Sequence, residues 1–164
     1  MTEAMPRGAR RALTEGEWSA ISPGLVEALR KANVTPQIVA RASVPALVAA
    51  IRWGRAPIMV LGQRIFWSGA VADFSQPWSN HTLAVLQHEL QHVLEFATGE
   101  LSALRYVVAP RNWPYGYRLG ADSQWTDFGA EQRASIAEHL WLIERRLMPD
   151  AAGGAHHRRV LPWA

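Results

Sequence analysis

His88-Glu89-Leu90-Gln91-His92 places two imidazoles four residues apart, with a carboxylate directly after the first. On an α-helix the two histidines leave one face a turn apart, within reach of a single tetrahedral metal ion. Glu89 then lies where it can touch a metal-bound water without ligating the metal, the place of a general base in metal-assisted peptide hydrolysis. The same five residues also occur as plain surface or core helix, so the chemistry depends on what surrounds them.

A catalytic zinc site needs a third protein ligand and an open fourth position. The chain has no cysteine, which excludes disulfides, thiolate zinc sites and cysteine nucleophiles and leaves histidine and carboxylate. Downstream candidates are Glu95, Glu100, Asp122, Asp127, Glu131, Glu138, His139 and the pair His156-His157. Glu131 is preferred, because it falls in the first turn of a second helix and Ala134 is small enough to let that helix come close. A glutamate there also suits a helix N-terminus through the dipole alone. Glu138, two turns on, shares its face and can orient a histidine through a hydrogen bond. His81, two turns before His88, is a weaker alternative, and tail histidines scaffold catalysis poorly.

The elements that must hold these residues are legible in part. Leu83, Leu86, Leu90, Val93 and Ala97 recur at helical spacing, with Ser79 or Asn80 as N-cap and Gly99 as stop, so a helix carries the motif. A second helix runs from about Phe128 to Met148, with Ile136, Leu140, Ile143 and Leu147 as its buried stripe and Pro149 behind it. Ile58 to Leu61 and Arg64 to Trp67, around Gly62-Gln63, read as a β-hairpin just before the motif helix. Its strand ending near Trp67 is expected to pair with an extended substrate.

The first third reads as broken helix. Thr14 with Glu17 makes a capping box, Ser22-Pro23 opens a second helix, and Thr35-Pro36 and Val44-Pro45 open two more pieces. Residues 35–51 have a faint helix-turn-helix look, but the would-be recognition helix, Pro45 to Trp53, is too apolar to face phosphate, so core helices are expected. The aromatic, proline-rich loop from Pro110 to Tyr117 offers Tyr115, Tyr117 and the following Arg118 as donors to a developing oxyanion. Residues 1–12 are expected to be disordered, 13–149 to form one domain, and 150–164 to be a flexible or loosely docked tail.

Bulk properties remove several function classes. With 164 residues, 49% of them hydrophobic and 19% charged, the chain can build one real core. A net charge of only +3 is a poor argument for a nucleic-acid partner, which would need the charge gathered on one face. No apolar run is long enough to cross a bilayer, and no apolar stretch follows the N-terminal arginines, so neither a membrane role nor Sec export is expected. The expected location is the cytoplasm, or outside the cell by a machine that needs no signal peptide. Eight tryptophans are unusual for this size, and some should be core while others line a groove.

Leu61-Gly62-Gln63-Arg64-Ile65-Phe66-Trp67, Leu86 to Val93, Tyr115-Gly116-Tyr117-Arg118-Leu119 and Phe128-Gly129-Ala130-Glu131-Gln132-Arg133-Ala134 follow one another in this order. In this, and in its Arg11-Ala12-Leu13-Thr14 start, the chain resembles the bacterial Vgr-related and Rhs-associated zincin metallopeptidases over roughly Arg11 to Leu142. Only the His-Glu-x-x-His and Glu-Gln-x-Ala pieces are specific. The resemblance implies an α+β, minimal zincin-like fold, mostly helical with a small hairpin or sheet beside the motif helix. It further implies a Zn2+ ion on His88, His92 and Glu131, with Glu89 as base and a peptide or protein as substrate. One departure stands out: sites with a glutamate ligand often carry an acid one turn later, where this chain has Ser135. The rival expectation is a zinc-binding, non-catalytic module that docks to a bacterial secretion system or cell wall.

Overall fold

A computed structural model describes residues 3–46, 57–75, 80–150 and 154–164. In chain order it holds β1 (Arg10–Ala12), α1 (Glu15–Ala20), α2 (Pro23–Lys31), β2 (Gln37–Val39), β3 (Met59–Leu61) and β4 (Arg64–Phe66). Then come α3 (Asn80–Thr98), α4 (Ala103–Val108), α5 (Ala130–Glu144) and α6 (Ala155–Val160). Short 3-10 turns at Pro110–Asn112 and Trp125–Asp127 punctuate the long connection before α5. The architecture is α+β, with one four-stranded mixed sheet of order β1-β2-β4-β3.

The sheet begins earlier than expected. Residues 3–12 are ordered: β1 pairs antiparallel with β2, the Met5 N–H donates to the Ala70 carbonyl, and the Ala72 N–H donates to that of Glu3. The cause is Glu17. Its carboxylate accepts from the Thr14 N–H (2.8 Å), completing the expected capping box, and also from the Phe74 N–H and from both terminal nitrogens of Arg11 at 2.6 and 2.7 Å. A fully buried carboxylate so saturated with donors fixes β1 in place.

The piece after Thr35-Pro36 is likewise a strand rather than a helix. Ile38 and Val39 are β-branched and fully buried, and β2 fills the space between β1 and β4, antiparallel to one and parallel to the other. The helix expected from Pro45 to Trp53 lies outside the described residues from position 47 on, as does the expected N-cap Ser79.

The hairpin is present, with Leu61 opposite Arg64 and Gly62 at φ +61° supplying the left-handed residue that a two-residue turn needs. Its second strand, however, is interior. β4 pairs with β2 on one side and β3 on the other, so the strand ending near Trp67 has no edge to offer a substrate, and among the described residues β1 and β3 are the edge strands.

β3 and β4 pack on α3, which lies along α5. Leu83, Leu86, Leu90 and Val93 of α3 are buried in the main core with Ile38, Ile65, Leu25 and Trp141. Ala130 and Ala134 are fully buried on α5, where small side chains let the two helices approach. α5 ends at Glu144, short of the expected Met148, and Leu147, expected in its apolar stripe, is 46% exposed beyond that end.

Residues 154–164 pack against the helices. Val160 and Leu161 pack with Phe128, Ile136 and Leu140, and the Trp163 indole donates to Gln91 Oε1 on α3 at 2.8 Å. Trp141 is buried, Trp67 stacks on Phe74, and Trp113 is half exposed near the site described next. No helix among the described residues is long and apolar enough to cross a membrane.

Candidate metal centre

Nineteen residues of α3 turn His88 and His92 toward the same place, with ring centroids 5.0 Å apart. Across from them, in the first turn of α5, Glu131 brings Oε2 to 3.1 Å from Nε2 of His88 and 3.4 Å from Nε2 of His92. One ligand atom from each of the three lies within 4.8 Å of the others, and this is the one such group among the described residues. Donors at about 2.0–2.1 Å from a tetrahedral zinc ion sit about 3.3–3.4 Å from each other, so the 3.4 Å separation matches an edge of that polyhedron and the 3.1 Å one is slightly shorter, a hydrogen-bond distance. The residues present therefore form a group that could hold a metal ion between two imidazoles and a carboxylate.

The surroundings orient these donors. Glu138 places Oε2 3.1 Å from Nδ1 of His88, so one carboxylate faces each nitrogen of that ring. This is the role that Ser135, one turn after Glu131, cannot fill, and the helix supplies it from two turns on instead. The Tyr106 hydroxyl donates to the other oxygen of Glu131 at 2.7 Å. The Tyr115 ring stacks on His88 with centroids 5.9 Å apart.

Placement of Glu131 rests on a close backbone approach. Gly129, the residue before α5, lies so near the 3-10 turn that a Cβ on it would meet the Arg111 carbonyl oxygen at 1.8 Å. The Asn112 side chain accepts from the Ala130 N–H and donates to the Arg105 carbonyl, tying the start of α5 to α4 and hence to Tyr106.

His88, Glu89, His92 and Glu131 expose only 6, 8, 6 and 5% of their surface, so their charges act on one another in a poorly solvated space. Burial would lower the pKa of His88, but the carboxylates of Glu131 and Glu138 outweigh it and push it up to about 10. Glu131 feels the converse: burial opposes its charge, yet hydrogen bonds from His88 and His92 hold its carboxyl well below the usual carboxylate range. Glu89 is raised, chiefly by burial, although both histidines pull the other way. A carboxylate poised to take a proton at neutral pH needs such a raised affinity.

Several sequence-derived candidates lie elsewhere. Tyr117 does not join the cluster, because its hydroxyl is held between His139 and His157. Arg118 and His81 are exposed. Glu95 and Glu100 are taken by Arg133, at 3.2 and 3.3 Å, and Asp127 caps the Gln124 N–H. Sequence reasoning missed Tyr106. Its one visible signal is a phenol within the apolar piece from Leu101 to Val108.

Compared with protein-family models, curated proteins and solved structures, the chain finds no match.

Proposed function

We propose that this protein is a zinc-dependent metallopeptidase with a zincin-like arrangement of its two long helices. The observation that carries this reading is the convergence of His88 and His92 on Glu131 Oε2 across two helices, with Glu89 buried beside them. A zinc ion bound there would act as a Lewis acid and lower the pKa of its water to about 7. Glu89 accepts the proton lost from the attacking water, its raised proton affinity matching that task. Tyr115 and Tyr106 stay protonated, since burial and the Glu131 charge raise both phenols, so each keeps a hydroxyl proton to donate in a hydrogen bond. Tyr115, 60% exposed and lying on His88, is the better placed of the two to donate to a substrate carbonyl. An extended peptide would add along β3, the edge strand that packs on α3.

Metal content and hydrolysis of a peptide mixture test the reading together. The wild type should carry one zinc, His88→Ala and Glu131→Ala should carry far less, and Glu89→Gln should keep zinc while losing turnover. A Glu89→Gln protein as active as wild type would overturn the assigned base. Full zinc in Glu89→Gln and wild type alike, with no hydrolysis in either, would favour the non-catalytic module instead.

A further inference from the structure

Tyr117 stands outside the metal cluster but inside an arrangement with its own chemistry. Its Oη lies 2.5 Å from Nδ1 of His139 on α5 and 3.0 Å from Nε2 of His157 on α6. A phenol carries one proton, so it donates to one imidazole and must accept from the other. Two arrangements satisfy this. In the first, Tyr117 donates to His139, whose Nε2 then carries the ring proton, and His157 donates to Tyr117 through Nε2. In the second, His139 donates through Nδ1, Tyr117 donates to His157, and the His157 proton sits on Nδ1.

The surroundings balance the two. The short Tyr117–His139 contact suits an O–H donor and favours the first. Asp150, with Oδ2 3.8 Å from Nδ1 of His157, favours a proton on that nitrogen and hence the second. Nδ1 of His157 is buried and makes no hydrogen bond among the described residues, so it is free to gain or lose that proton. At the other end, Nε2 of His139 makes no hydrogen bond among the described residues either. His139 lines a cavity of about 590 Å3, as do Tyr117, His157 and Asp150, and its wall also includes Tyr115, the ring that stacks on His88.

We propose that Asp150, His157, Tyr117 and His139 form a proton wire along the wall of this cavity, with Nε2 of His139 as its end on the helix that carries Glu131. Passing from the first arrangement to the second moves one charge and balances. The Nε2 proton of His139 leaves into the cavity, the phenol proton moves to Nδ1 of His139, the Nε2 proton of His157 moves to the phenol oxygen, and Nδ1 of His157 takes up a proton on the Asp150 side. No tyrosinate forms, as expected where burial and nearby carboxylates raise the phenol's pKa. Burial also lowers both histidines, which keeps the rings neutral and able to exchange tautomers. The charged or titratable groups facing them are Glu138 of α5, His88 of α3, Asp150 and His156. Resting on the peptidase reading, the wire gives the leaving amine its proton and is reset by the reverse passage.

The test uses the full chain, zinc-loaded, with 15N-labelled histidine. Imidazole nitrogen shifts should show that Asp150→Asn raises the fraction of His139 protonated at Nε2, and that adding Tyr117→Phe abolishes this response. His139 shifts unchanged by Asp150→Asn would overturn the wire, whatever the protein hydrolyses. In peptide turnover, Tyr117→Phe and His157→Gln should each lower kcat at least tenfold with KM within twofold and zinc content intact, and should straighten a curved solvent proton inventory. Wild-type kcat and a curved inventory in both variants would equally overturn it. A zinc-loaded wild type that cleaves no peptide defeats the peptidase reading and the wire's use, and the nitrogen shifts still decide the wire itself.

Discussion

Gly129→Ala puts the placement of Glu131 to a quantitative test. The added Cβ would lie 1.8 Å from the Arg111 carbonyl oxygen, 2.7 Å from its carbon and 3.0 Å from Asn112 Cα, all backbone atoms that cannot swing aside. Restoring an ordinary contact of about 3.3 Å requires the start of α5 and the 3-10 turn to separate by roughly 1.5 Å. Glu131 is two residues along and reaches its imidazoles over 3.1 and 3.4 Å, so a shift of that size takes the carboxylate out of the shared site. Overpacking of this kind costs about 1–3 kcal/mol, which for a chain of this length lowers Tm by roughly 3–10 °C. Loss of one of three ligands should weaken zinc binding more than tenfold. Thermal unfolding with and without zinc, and competition with a chromophoric chelator, measure both. Gly116→Ala is the internal control, because a Cβ there meets nothing within 4 Å and its stability should stay within about 0.5 kcal/mol of wild type. A Gly129→Ala protein with wild-type Tm and wild-type zinc affinity would refute the argument that this close approach sets the third ligand.

Three further outcomes follow from the same geometry. Glu138→Gln should reduce zinc affinity about 10–100-fold without removing a ligand, read by chelator competition, because Nδ1 of His88 loses its carboxylate partner. Arg133→Met strands the buried charge of Glu95 and should cost about 3–5 kcal/mol in denaturant unfolding, most of it recovered when Glu95→Gln is added. In metal-free protein, the charged His88 held by Glu131 and Glu138 against its own burial contributes stability that is complete below about pH 6.5 and lost as pH rises through about 10. The Tm of chelator-treated protein should accordingly drift down across that window, and a flat profile would contradict it.

What the sequence made legible was whatever repeats or caps within a few residues. α3 announced itself through Leu83, Leu86, Leu90 and Val93, and the polar partner of its histidines could be placed because Glu131 opens an equally regular helix. Strands of three residues carry too little period to read, so Gln37–Val39 looked like the start of a helix, and Arg10–Ala12 looked unstructured because its anchor is an ion pair with Glu17. Order along the chain also hides rank across the sheet. The hairpin was visible, but β2 inserting beside β4, which makes β3 terminal, is a long-range event. Tyr106 and the pairing of Tyr117 with His139 and His157 depend on loops whose course no local pattern sets.

The indole of Trp163 closes the back of the metal helix by donating to Gln91, 72 residues earlier in the chain. Gln91 in turn passes a hydrogen bond to Glu95, so the far side of α3 is sealed by a residue made after everything else in the site. During synthesis the histidine pair therefore emerges long before its surroundings are complete, and full metal retention should arrive only with residues 155–164. Shortened chains ending before residue 155 would be expected to pick up zinc readily and give it up again.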